Sequence, residues 1–94
     1  MGAEEAKVQT SIINWLSFQG AWFTKTIASV KNGTPDIVGV VNGQFFGIEV
    51  KKPGGKPSPL QRVQLRKIRE AGGVGFTAES LNEVKDQLNY LIDS

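Results

Sequence analysis

Apolar positions recur along the chain at two spacings, and those spacings assign the elements. Val8, Ile12, Trp15 and Leu16, with Gln19 beyond them, fall three or four residues apart. That predicts a helix over residues 4–19, ended by Gly20. Residues 21–28 are dense in aromatic and β-branched types, the composition of a strand. Lys31-Asn32-Gly33-Thr34-Pro35 reads as a loop. Residues 36–41 and 44–51 read as two strands joined by Asn42-Gly43, the pairing that a two-residue hairpin turn favours. A second loop follows at Pro53-Gly54-Gly55-Lys56-Pro57. Ser58-Pro59-Leu60-Gln61 then supplies a serine N-cap, a proline in the first turn and a glutamine three residues on, which is a capping box. The helix it opens should run to about Ala71 and stop at Gly72-Gly73. Residues 74–78 form a short strand. Ser80-Leu81-Asn82-Glu83 is a second capping box, opening a helix with Leu81, Val84, Leu88, Leu91 and Ile92 on one face.

The resulting order, α-β-β-β-α-β-α, predicts an α/β fold with one mixed sheet flanked by helices. The first three strands can form an antiparallel meander. The fourth returns after a helical crossover and can lie parallel to one of them. No internal repeat, low-complexity tract or domain boundary interrupts the 94 residues, so residues 1–94 are expected to form a single domain.

Composition then narrows the chemistry. Apolar residues at 39% and charged residues at 21% are ordinary for a globular protein and argue against disorder. No apolar run approaches the roughly 20 residues that span a bilayer. The acidic start, Met-Gly-Ala-Glu-Glu, has no signal-peptide character, so a cytoplasmic location without membrane attachment is expected. The absence of cysteine excludes a disulfide framework and a thiolate zinc site. The absence of histidine excludes histidine general bases, Ser-His-Asp triads and histidine metal sites. Hydrolysis, if any, must run on carboxylates, lysine or a hard metal ion. The net charge of +2 says little about partners. Its distribution says more: Lys51, Lys52, Lys56, Arg62, Arg66, Lys67 and Arg69 follow one another with no acid between them. Such a segment either meets phosphates or is a solvated helix face.

The hairpin brings charges together. With Asn42-Gly43 as the whole turn, Val41 faces Gln44, Ile37 faces Ile48, and counting one step further sets Asp36 opposite Glu49. Opposed residues share a face, with Cβ atoms about 4.5–5.5 Å apart. Lys51, two residues beyond Glu49, shares it too. Opposed like charges destabilise a sheet unless something positive lies between them. A hard divalent cation takes carboxylate oxygens together with substrate phosphates, so the arrangement resembles a phosphate-cleaving site. From the hairpin alone, a plain salt-bridge cluster at the end of the sheet is an equal reading, and a bulge would shift the pairing.

Gly33-Thr34-Pro35-Asp36, followed in the next strand by Gly47-Ile48-Glu49-Val50-Lys51, resembles the Pro-Asp…Glu-x-Lys signature of the PD-(D/E)XK nuclease superfamily. The finer pattern is similar to the VRR-NUC (virus-type replication-repair nuclease) family. It comprises the first helix at Glu5-Ala6-Lys7-Val8-Gln9, then G-x-P-D, a short hairpin, G-x-E-x-K, a loop with a lysine, and a helix opening Ser-Pro-x-Gln. The resemblance implies a restriction-endonuclease-like αβββαβ core and one VRR-NUC domain over residues 1–94. It implies Mg²⁺ or Mn²⁺ held by the Asp36 and Glu49 side chains and the Val50 backbone carbonyl, with Lys51 as the catalytic lysine. Gln61 matches the family's helix glutamine beside the active site and Glu5 the first-helix acid, both as candidate catalytic residues, and Gln9 is a weaker match. The expected activity is phosphodiester hydrolysis in DNA. Stand-alone viral or phage members resemble Holliday-junction resolvases that work as homodimers, which suggests a phage or bacterial origin. Two symmetric nicks in a four-way junction suit a C₂ dimer.

Several residues have a second explanation. Gln61 is also the capping-box residue, and Glu5 also complements a helix dipole. Lys52, Lys56, Arg62, Arg66 and Arg69 are candidate DNA contacts or solvated charges. Gln64 has no assigned role. Trp15, Trp22, Phe23, Phe45 and Phe46 suit a core or a dimer interface better than base stacking. A flap or nonselective nuclease, a non-catalytic nucleic-acid-binding domain and an ion-stabilised interaction module remain open alternatives.

Overall fold

The computed structural model describes residues 2–27 and 32–93 and follows the expected element order. Helix α1 (Ala3–Ser17) leads to β1 (Trp22–Lys25), β2 (Ile37–Val41) and β3 (Gln44–Val50). Helix α2 (Pro59–Glu70), β4 (Val74–Ala78) and α3 (Leu81–Ile92) complete the chain. The strands form one mixed sheet in the order β1-β2-β3-β4, antiparallel as far as β3 and parallel between β3 and β4. Among the described residues no helix is long and apolar enough to cross a membrane.

The hairpin turn fixes the register. Asn42 and Gly43 both have positive φ, at 48° and 78°, as the expected two-residue turn requires. The pairs Val41–Gln44, Val40–Phe45 and Ile37–Ile48 follow. At the tip, the Asn42 side-chain amide donates to the Leu91 carbonyl (2.6 Å), taking one of the carbonyls left over at the end of α3.

Several boundaries differ from expectation. Helix α1 stops at Ser17, because the Phe18 and Gln19 amides turn to carbonyls three residues back and Gly20 (φ 71°) redirects the chain. Strand β1 spans Trp22–Lys25 only, while Ala28 and Lys31, at the expected strand end and loop start, lie outside the described residues. Strand β2 begins at Ile37, so Asp36 stands just off the ladder. The Ser80 cap is also modified. Its hydroxyl accepts from the Glu83 amide, but the Glu83 carboxylate reaches one residue further back, to the Glu79 amide (2.7 Å).

Strand alternation splits the side chains between two faces. Ile37, Phe46, Ile48, Val50, Phe76 and Ala78 pack against Ile12 and Leu16 of α1 and Val84 and Leu88 of α3. Phe46, fully buried at the centre, would cost about 3–5 kcal/mol to truncate to alanine. The other face carries α2. This helix lies close because Gly47 and Gly75 present no side chain: a Cβ on Gly75 would sit 2.8 Å from the Leu65 carbonyl oxygen. Glu49 alternates onto this α2 side, beside its parallel neighbour Thr77.

Candidate active site

The site forms where β3 ends and α2 begins. Glu49 is the penultimate residue of β3 and is 2% exposed. Burying a carboxylate there demands partners. Oε2 has two: the Gln61 amide donates to it at 2.9 Å, and the Lys51 ammonium lies 3.5 Å away. Oε1 is buried and has none among the described residues.

Asp36 reaches the same place by leaving the ladder. Its backbone carbonyl accepts from the Thr26 amide (2.8 Å), while its Oδ2 accepts from the Val50 amide (2.8 Å). The carboxylate thus stands in for the ladder carbonyl that β2 would have offered. A strand residue sends its N–H and C=O to the same side, so the Val50 carbonyl also faces the Asp36 side. The expected opposition of Asp36 and Glu49 therefore takes a different form. Pairing is regular as far as Ile37–Ile48, then the chain bends, and the two carboxylates still converge.

The electrostatics follow. Burial first, and then the charge and hydrogen bonding of the adjacent Asp36, push the Glu49 carboxyl up to about 8 against the opposing pull of Lys51. A divalent cation would reverse this balance. Among the described residues no three Asp, Glu, His or Cys side chains converge. A cation here would therefore rest on Asp36, Glu49, the Val50 carbonyl and exogenous oxygens, a donor set suited to a hard ion such as Mg²⁺. The unpartnered Glu49 Oε1 is what such an ion would satisfy.

Gln61 is held from the other end. Its Oε1 accepts from the Ser58 amide (2.8 Å), its own amide donates to the Ser58 hydroxyl (3.2 Å), and its Nε2 is left for Glu49. Capping and site contact are thus performed together rather than being alternatives. The start of α2 sits at the right depth because Gly33, at φ 83°, lets the chain before Asp36 pass beneath it. A Cβ there would lie 2.6 Å from the Leu60 backbone.

Other candidates are spread out. Glu5 lines a hollow with Lys52 on the α1 side, and no hydrogen bond or ion pair joins its side chain to another described residue. Gln9 is buried one turn further along α1. The loop carrying exposed Lys56 is tied down where the Gly54 amide donates to the Glu79 carboxylate. Arg69 donates to the Gly75 carbonyl at 2.8 Å, and with Arg62 it borders a hollow beside β4. Arg66 is exposed outside that hollow. Gln64 lines an apolar hollow with Pro35, Val38, Phe45 and Ile68. Of the aromatics, Phe46 is core, Trp15 and Phe23 pack at its margin, and Trp22 and Phe45 are exposed. Thr77, register partner of Glu49, drew no notice in the sequence; only the parallel pairing of β4 reveals it.

No family model and no curated protein matches the sequence. Solved structures do. A VRR_NUC domain protein matches with a TM-score of 0.79 and 20% identity, over 99% of this chain and 91% of its own. A VRR_NUC domain matches with a TM-score of 0.79 and 25% identity, over 95% of this chain and 97% of its own. This chain has the VRR-NUC fold. The fold supports the family resemblance read from Gly33–Asp36 and Gly47–Lys51, and the VRR-NUC likeness spans nearly the whole chain rather than the motif alone.

Proposed function

We propose that the chain is a metal-dependent DNA endonuclease that hydrolyses phosphodiester bonds at the Asp36–Glu49–Lys51 site. The observation that carries this reading is the buried Glu49 carboxylate, with one oxygen unpartnered among the described residues, beside a second carboxylate and a lysine. A structural salt bridge would not leave a buried carboxylate oxygen bare, since each such atom carries a desolvation cost. The fold's likeness to VRR_NUC domains agrees with it.

Asp36 and Glu49, with the Val50 carbonyl, would hold Mg²⁺ or Mn²⁺. Such an ion, when bound, polarises the scissile phosphate and eases deprotonation of water. Lys51 places a positive charge where negative charge develops on the phosphoryl oxygens. Gln61 fixes the Glu49 rotamer. The basic segment from Lys52 and Lys56 to Arg62 and Arg66 supplies counter-charge for the backbone.

The substrate we favour is branched DNA such as a four-way junction, cut by a homodimer. The motivating observation is a cross-strand row of exposed apolar side chains, Trp22, Val40 and Phe45, left uncovered beside α2. Contiguous exposed apolar surface of this kind marks association sites.

Cleavage of linear duplex, single strand, flap and four-way junction with Mg²⁺, Mn²⁺ and chelator tests the proposal, with Glu49→Ala as control. Paired nicks in the junction that vanish with chelator and with Glu49→Ala are expected. Cutting only flaps or linear DNA would retain the chemistry and discard the junction. DNA binding without any metal-dependent cutting would leave a binding module.

A further inference from the structure

Helix α2 divides its face of the sheet into two unlike hollows. On the β2 side the lining is mostly apolar, with Gln64 and Lys67 at it. On the β4 side lies a hollow of about 540 Å³ whose polar lining comes from Arg62, Arg69, Thr77 and Gln87, with no acid among its residues. Arg62 has no acidic partner among the described residues. Arg69 spends one donor on the Gly75 carbonyl, and a guanidinium carries five.

Strand β4 is the edge of the sheet, which adds a second set of donors. The Ala78 carbonyl turns inward, accepting from the Lys51 amide. By alternation Gly75 and Thr77 turn their backbone groups outward, and the Arg69 bond to the Gly75 carbonyl agrees with this. The Gly75 and Thr77 N–H groups therefore face the side from which Arg62 and Gln87 approach. Thr77 is also the lateral neighbour of Glu49, one strand spacing of about 4.8 Å away.

We propose that this hollow is a phosphate subsite, holding a backbone phosphate of the DNA strand next to the one being cut. Resting on the nuclease reading, it assigns Thr77 and Gln87 as DNA contacts and separates Arg62 and Arg69, which line it, from Arg66, which does not. Guanidinium forks, a hydroxyl, an amide and backbone N–H groups are the donors that phosphate oxygens accept from. All of them are blind to base identity, so the subsite positions the strand without reading sequence.

The test is DNA binding by fluorescence anisotropy in Ca²⁺ across a salt series, with steady-state cleavage in Mg²⁺. Arg62→Ala is expected to weaken binding roughly tenfold and to lower the salt slope by about one. Thr77→Val, which keeps a β-branched strand residue, is expected to raise KM severalfold with little change in kcat, since a contact held throughout the reaction is uniform binding. Lys7→Ala, removing one charge on α1, should change neither. In parallel, the Gly75 and Thr77 amide resonances should shift on titration with inorganic phosphate. Wild-type protein that binds and cuts DNA while Arg62→Ala and Thr77→Val leave slope and KM unchanged would overturn the subsite alone. Wild-type protein that neither binds nor cuts would overturn the nuclease reading and the subsite with it.

Discussion

Gln61 donates to Glu49 across 2.9 Å, and the same side chain closes the capping box of α2 through its other end. The two jobs use opposite atoms of one amide, so they can be separated by substitution. Ser58→Ala removes a cap partner without touching Glu49. It should cost about 1 kcal/mol in chemical denaturation and leave cleavage within a few fold. Gln61→Glu keeps an oxygen for the Ser58 amide but sets a carboxylate against Glu49. It should retain most of the stability and lose cleavage. Equal losses of activity in the two variants would mean that the Nε2 contact is incidental.

Asp36 has a structural role, accepting from the Val50 amide, beside the chemical role proposed for it. Asp36→Asn keeps an oxygen for the Val50 amide and removes the charge. Cleavage should fall by about 10²-fold or more, with the melting temperature nearly unchanged. Asp36→Ala strands the Val50 N–H as well, and should cost a further 1–3 kcal/mol or so of stability. An asparagine variant that cuts at the wild-type rate would remove Asp36 from the chemistry.

The pH dependence of the metal-free protein has a definite sign. Glu49 titrates near 8 in the folded chain against an ordinary 4.5. Between those values the folded state binds more protons than the unfolded one, so stability falls as pH rises. The contribution is complete below about 4.5 and gone above about 8. Melting temperatures in chelator should therefore decline over that window, and Glu49→Gln should flatten the decline. On the proposed reading, Mg²⁺ would displace the same proton, so its affinity should climb with pH towards 8. Parallel melting profiles for wild type and Glu49→Gln would refute this.

If two copies associate through the Trp22, Val40 and Phe45 row, a charge there should separate them. Trp22→Glu alters a side chain that is 66% exposed, so the fold should survive. Light scattering should show wild-type dimers and variant monomers at micromolar concentration. Wild-type monomers would remove the dimer from the proposal.

Much of this was legible in advance, for identifiable reasons. Asn42-Gly43 admits few turn geometries, so the hairpin register could be counted from residue identities, and with it the shared face of Glu49 and Lys51. The capping box located α2 within a residue. The departure of Asp36 from the ladder was not legible, because it depends on a bend at the strand end rather than on side-chain periodicity. The family pattern sets Gln61 beside the active site, but periodicity alone places it only on α2 and not against Glu49. That contact depends on how deeply the helix sits, which Gly33, Gly47 and Gly75 set jointly from distant positions. Thr77 was invisible because a crossover connection does not fix the register of a parallel strand. Glu5 is expected in the site on the strength of the family pattern alone, and its side chain shares a hollow with Lys52.

Asp36, Glu49, Val50, Lys51 and Gln61 all come from one unbroken stretch: a hairpin strand, its partner, a short loop and a helix start. Contacts this close in sequence have little loop entropy to overcome, and hairpins close in microseconds. The carboxylate–lysine cluster can therefore take shape early in folding, before the parallel docking of β4, which joins segments far apart in sequence. Pulsed hydrogen exchange would show it as earlier protection at the Val50 amide, which Asp36 holds, than at the Lys51 amide, which waits for Ala78. The later elements would then bring seclusion from water, and with it the raised proton affinity of Glu49, to a geometry already drawn.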